Sequence, residues 1–122
     1  MATVKCNAII FDMGGVFLKT IDPRPREAMA LRFGTTRKDL ESIIFSSSTS
    51  LLSETGEISD QEHWQTVLQL FNQPIDNYLK IYDEYFSGDV IDEDLLDYAV
   101  SLKTNFCVGL LSNAWMNART LL

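Results

Sequence analysis

The residues of this chain best placed to do chemistry stand at the ends of two apolar runs. Asp12 closes the run at residues 4–12, VKCNAIIFD, and is followed by Met13 and the glycines Gly14 and Gly15. A carboxylate at the tip of a buried strand is partly desolvated and needs a partner, often a metal ion or backbone N–H donors. The glycines let the backbone approach a ligand closely. Ser112 and Asn113 stand at the end of a second run, NFCVGLLS at 105–112, just before a segment read as a helix over 114–122. A hydroxyl together with helix N–H groups makes a good anion site. Each signal is weak alone, because an Asp-x-Gly-Gly turn is more often structural and Ser-Asn serves equally as a helix cap. The pair is stronger, since adjacent parallel strands would bring both tips to one crevice.

The elements that must position these tips follow from periodicity. Both runs read as short buried strands, parallel and covered on both faces. About ninety residues of helical pattern lie between them. A helix opens near Pro25 and stops at Gly34. The next opens at Thr36 and carries Leu40, Ile43 and Ile44 on one face, and SSSTS at 46–50 then breaks the periodicity and reads as a loop. Ser59 and Glu62 have capping-box spacing. Behind them Trp64, Val67, Leu68 and Phe71 follow the rule for one buried face. Pro74 starts a helix with Ile75, Tyr78, Leu79, Tyr82 and Tyr85 or Phe86 on its stripe, ended by Gly88; at this spacing the aromatics read as core rather than a ligand cage. Asp92, Glu93 and Asp94 suit a helix start, where the macrodipole favours negative charge. One crossover helix would suffice between parallel strands, so the earlier helices look like an insertion above the strand ends, where open α/β sheets bind ligands.

Composition narrows the partners. The 122 residues are 46% hydrophobic and 22% charged, as in ordinary globular proteins. A net charge of −7 argues against nucleic acid and anionic membrane surfaces. The densest basic stretch, Arg24, Arg26, Arg32, Arg37 and Lys38, reads as a solvated helical face. No apolar run reaches a membrane-spanning length and no targeting segment is seen, so a cytoplasmic protein is expected. Cys6 and Cys107 read as reduced core thiols with no further ligands to complete a metal set. His63, the only histidine, reads as a surface residue of its helix rather than a catalytic base.

The two strand ends and the helices between them resemble the opening of haloacid-dehalogenase-like (HAD-like) hydrolases. Members of that family begin with an apolar strand ending Asp-x-Asp-Gly-Val/Thr, then a helical cap, then a second strand ending in Ser/Thr, often followed by Asn. The stretch ETGEISDQEHW at 54–64 resembles a cap-helix segment of one branch. Phe-Asp-Met-Gly-Gly-Val is closest to the branch holding sugar-phosphate phosphatases and the phosphatase domain of soluble epoxide hydrolases. The resemblance covers essentially the whole chain. It implies an α/β fold: an incomplete Rossmann-like core of the first two parallel strands, residues 1–18 and 89–122, with a helical cap at 19–88 inserted after the first strand. It implies a Mg²⁺-dependent phosphomonoesterase acting on a small phosphorylated metabolite. Asp12 would be the nucleophile forming an aspartyl-phosphate and a Mg²⁺ ligand, the Gly14 carbonyl a second ligand, and Ser112 and Asn113 the phosphate-binding pair.

Two departures from the family pattern matter. The usual general acid, two residues after the nucleophile, is here Gly14, and the candidates to replace it are Asp22 or a cap residue. The family's third motif, a lysine, and its fourth, an acidic pair, have no candidate in these residues. Lys103 precedes the second strand, and Asp89 with Asp92–Asp94 is better explained as a helix start. The expectation is therefore a chain cut after the second motif, inactive alone, and prone to self-association through its incomplete sheet. A non-catalytic family member or interaction module is the alternative reading. A 2-haloacid dehalogenase is a third, weakened because FDMGGV lacks the dehalogenase form of the first motif.

Overall fold

A computed structural model describes residues 7–13 and 16–111 of the chain. Cys6, Gly14, Ser112, Asn113 and the expected helix at 114–122 lie outside the described residues. The described residues fall into two compact units, one drawn from Met1–Ile21 and Asp89–Ser112, the other from Asp22–Gly88.

The first unit holds the strands. β1 (Ala8–Asp12) pairs in parallel with β4 (Cys107–Leu111), from Ala8 opposite Cys107 to Asp12 opposite Leu111. The apolar, β-branched character of AIIFD and CVGLL suits this pairing. Two further strands that periodicity did not reveal, β2 (Leu18–Thr20) and β3 (Asp89–Ile91), form a separate antiparallel pair. Each is three residues long, too short to show an alternation. Across this pair the Thr20 hydroxyl donates to Asp89 at 2.7 Å and Lys19 reaches Asp92 at 3.0 Å. Helix α6 (Glu93–Ser101) follows, with the Asp92 carboxylate accepting from the Leu95 amide at 3.0 Å as its N-cap, and a 3-10 turn, Leu102–Thr104, leads into β4.

The second unit is helical: α1 (Arg24–Arg32), α2 (Arg37–Ser46), α3 (Ser48–Glu54), α4 (Asp60–Leu70), a 3-10 turn at Ile75–Asn77 and α5 (Tyr78–Tyr85). Thr36 and Ser59 cap α2 and α4 by accepting from the amides of Asp39 and Glu62. Its core is Met29, Phe33, Leu40, Ile44, Trp64, Val67, Leu68 and Tyr85. Leu79 departs from the expected stripe of α5 and is exposed, while Ile81 packs against the core. The ends of the unit meet, with the Asp22 amide donating to the Gly88 carbonyl at 3.2 Å. A Cβ on Gly88 would lie 2.0 Å from the Asp22 carbonyl oxygen, so this closure needs glycine.

Residues 46–50 do not form the expected loop. Ser47 accepts from the Ser50 amide at 3.4 Å and so opens α3 one residue later. The serines that break the apolar pattern are the ones that start a helix, since a cap hydroxyl satisfies an orphan N–H. The resulting helix is inverted: Ser50 and Ser53 are buried, while Leu51 and Leu52 are exposed.

Candidate active site

Asp12 is the last residue of β1 and its side chain is exposed. Two features fix its backbone. On one side, pairing with Leu111 anchors it to β4. On the other, the Met13 carbonyl accepts from the amides of Val16, Phe17 and Leu18 at 3.3, 3.0 and 3.0 Å. Phe17 is buried and packs edge-on against Phe11 at 5.1 Å between ring centroids. An exposed carboxylate therefore sits at the carboxyl end of a parallel strand, held between the strand register and the hydrogen bonds to the Met13 carbonyl. The chain leaves β4 at Leu111, and Ser112 is the next residue in sequence. Gly14, Ser112 and Asn113 are outside the described residues, so of the expected site residues Asp12 alone has a described position.

The strand's surroundings differ from expectation. None of Ala8–Asp12 is fully buried, and Ile10 is 67% exposed. The reason is coverage. Among the described residues this unit has one α-helix, and β4 faces α6 across a groove lined by Phe17, Leu96, Ala99, Val100 and Val108. One helix covers one face of a sheet, not two. Cys107, expected in the core, is likewise exposed as a free thiol at the start of β4.

Asp22 does not meet the requirement for a replacement acid. Its carboxylate takes a bidentate pair from the Arg24 guanidinium at 2.9 and 2.8 Å and also accepts the Arg24 amide at 3.0 Å. Those bonds hold its pKa at about 2, so at neutral pH it has no proton to give. Asp92 is equally committed: the Leu95 amide, then Lys19, holds its carboxyl below the usual range. The acidic residues around position 92 thus start a helix and staple β2.

Two basic residues read as surface from the sequence are internal. His63 is 0% exposed, with Nε2 2.8 Å from the Ile44 carbonyl and Nδ1 2.8 Å from the Thr49 hydroxyl. Burial pushes its pKa down from 6.5, partly offset by the bond to Ile44. Arg26 is 8% exposed, stacked 4.5 Å over the Tyr85 ring and paired with Glu41 at 3.5 Å. A planar guanidinium can be buried against aromatic faces if a carboxylate compensates its charge.

A magnesium ion would find suitable chemistry but few donors. Asp12 supplies an exposed hard oxygen of the kind Mg²⁺ takes. Among the described residues there is no cluster of three or more His, Cys, Asp or Glu side chains that could complete a site.

The described chain thus has a parallel strand pair, a helical stretch inserted between its members and an aspartate closing the first strand. Solved structures share this fold. An HAD family enzyme from Bacteroides thetaiotaomicron, in complex with magnesium and inorganic phosphate, superposes with a TM-score of 0.71 at 19% identity over 95% of this chain and 57% of that one. The same enzyme in a second structure gives a TM-score of 0.68. A predicted HAD-like family hydrolase from Porphyromonas gingivalis gives 0.67 at 24% identity, covering 95% of this chain and 55% of that one. At these identities the likeness is one of fold. The chain spans little more than half the length of these structures. No protein-family model and no curated protein matches the sequence. Among the described residues no helix is long and apolar enough to cross a membrane.

Proposed function

We propose that the protein carrying these residues is a phosphomonoesterase of the HAD-like kind, with Asp12 as nucleophile. The observation that carries this reading is the exposed Asp12 carboxylate at the carboxyl end of β1, opposite Leu111 of β4, on a fold shared with HAD family enzymes. In the proposed reaction one Asp12 oxygen attacks phosphorus, an O–P bond forms, and the P–O bond to the substrate alkoxide breaks. Water then attacks the aspartyl-phosphate, regenerating the carboxylate and releasing inorganic phosphate. Ser112 and Asn113 would donate to the transferring phosphoryl oxygens, where developing charge rewards such donors. The second Asp12 oxygen and the Gly14 carbonyl would hold Mg²⁺, which when bound neutralises phosphoryl charge. The substrate is a small phosphorylated metabolite, and the helical residues between β2 and β3 serve as the cap that selects it. The exposed Cys107 thiol suits a reducing compartment such as the cytoplasm.

The test is hydrolysis of p-nitrophenyl phosphate with Mg²⁺ by the whole gene product. Turnover that falls to background in Asp12→Asn supports the proposal, and turnover unchanged in that variant overturns it. Residues 1–122 alone offer no candidate for the lysine and acidic pair that complete such a site. They are expected to show no turnover by themselves.

A further inference from the structure

We propose that His63 is a pH-sensitive latch that fastens α3 to the helical unit and releases it on acidification. A surface helix is ordinarily held by an apolar face, but the buried residues of α3 are Ser50 and Ser53 while its leucines, Leu51 and Leu52, face out. Its attachment is therefore polar. Thr49 meets His63 Nδ1 at 2.8 Å, and the Ser53 hydroxyl donates to Asp60 at 3.3 Å, both partners belonging to α4. An element with few buried apolar contacts opens more readily than the core around it.

His63 joins three helices. A carbonyl can only accept, so the bond to Ile44 puts the imidazole proton on Nε2. Ile44 lies in the last turn of α2, where carbonyls have no partner within their own helix. In the neutral ring Nδ1 then accepts from the Thr49 hydroxyl of α3. Protonation makes Nδ1 a donor, reverses the Thr49 bond and places a full charge in a site closed to water. The titratable groups acting on the ring are Asp60 on α4 and Glu54 on α3, both acidic, and α2 presents the Ile44 carbonyl. Burial, with Asp60 and Asp83 adding to it, pushes the Tyr82 hydroxyl on α5 up to about 12, so it stays neutral. Burial outweighs the two carboxylates, so the closed state holds the neutral ring.

The sign follows. An open state, with His63 hydrated, binds more protons than the closed state below the ordinary value of 6.5. Opening is therefore constant above that pH and grows as pH falls, by at most roughly tenfold per unit. Leu51 and Leu52 sit on the released segment, so acidification changes the surface that this part of the helical unit presents.

Hydrogen exchange on the 122-residue chain, corrected for intrinsic pH dependence, tests this at pH 7.5 and 5.5. The expected result is that protection in residues 48–54 drops about tenfold relative to α4 at the lower pH. In His63→Gln, which can still donate to Ile44 but cannot charge, α3 protection becomes independent of pH. Equal protection at both pH values, or a drop that persists in His63→Gln, overturns the proposal. Should that variant not fold, NMR of the wild-type chain decides, because His63 is the sole histidine and gives one imidazole signal. Loss of the amide signals of residues 48–54 on acidification, tracking an imidazole titration with a midpoint below 6.5, upholds the latch. A midpoint at or above 6.5 overturns it.

Discussion

In the helical unit Trp64, Tyr85, Met29, Leu40 and Ile44 are sealed from solvent, whereas in the strand unit Ile10, Leu110 and Leu111 are exposed beside Asp12. One described α-helix covers the strand unit, and the chain spans little more than half the length of the solved structures that share its fold. The helical unit is stabilised by its own aromatic core, in which Trp64 meets Tyr82 and Tyr85 edge-on at 5.1 and 5.8 Å. The strand unit has Phe17 and Ala99 as its buried apolar residues among those described, and it carries the candidate nucleophile. In the proposed reaction that carboxylate would have to meet its substrate, and pairing with β4 positions it without burial. Among the described residues the larger buried core and the proposed nucleophile thus lie in different stretches of chain.

Three substitutions can break or sharpen that division. The largest effect is expected from Trp64→Ala, which empties the centre of the helical core. A loss of about 3–5 kcal/mol, read by urea denaturation followed by circular dichroism, is the expected result. Asp12→Asn, at an exposed strand end, should shift stability by no more than about 0.5 kcal/mol in the same experiment. Equal losses would undo the comparison. Next comes Gly88→Ala, which forces a methyl group into the Asp22 carbonyl and should cost about 1–3 kcal/mol. A neutral result would show that the ends of the helical unit need not be closed by that contact.

The smallest effect concerns pH. The Asp22–Arg24 pair favours the ionised carboxyl, so its contribution is full above the ordinary value of 3.8 and is lost as pH falls through about 2. Arg24→Gln should move the Asp22 midpoint up toward 3.8, as followed by carboxyl carbon NMR. A midpoint that stays near 2 would mean that the Arg24 side chain is not its cause. The pair is exposed, so little change in overall stability is expected.

What could be read in the sequence divides along the same line. Periodicity and caps were enough for α1, α2, α4 and α6, because Thr36, Ser59 and Asp92 announce helix starts by local hydrogen bonds. The two parallel strands were legible as apolar runs ending in small polar residues. β2 and β3 were not, since three residues paired across the length of the helical unit leave no local trace. α3 was hidden because its inward face is serine, and inversion cannot be seen in an apolar pattern. The burial of Arg26 and His63 depends on partners contributed by other helices, Glu41 and Tyr85 for one, Ile44 and Thr49 for the other. For the candidate site, motif spacing singled out Asp12. It could not show that Asp22 is silenced by Arg24, which depends on the side-chain geometry of the turn before α1.

The central claim is that Asp12 becomes phosphorylated during turnover, and rapid-quench mass spectrometry of the whole gene product with a phosphomonoester and Mg²⁺ tests it most directly. The expected result is a transient phosphoryl adduct on the peptide bearing Asp12 that decays with turnover and is absent in Asp12→Asn. Steady turnover with no adduct on that peptide, or an adduct on another residue that persists in Asp12→Asn, would contradict it.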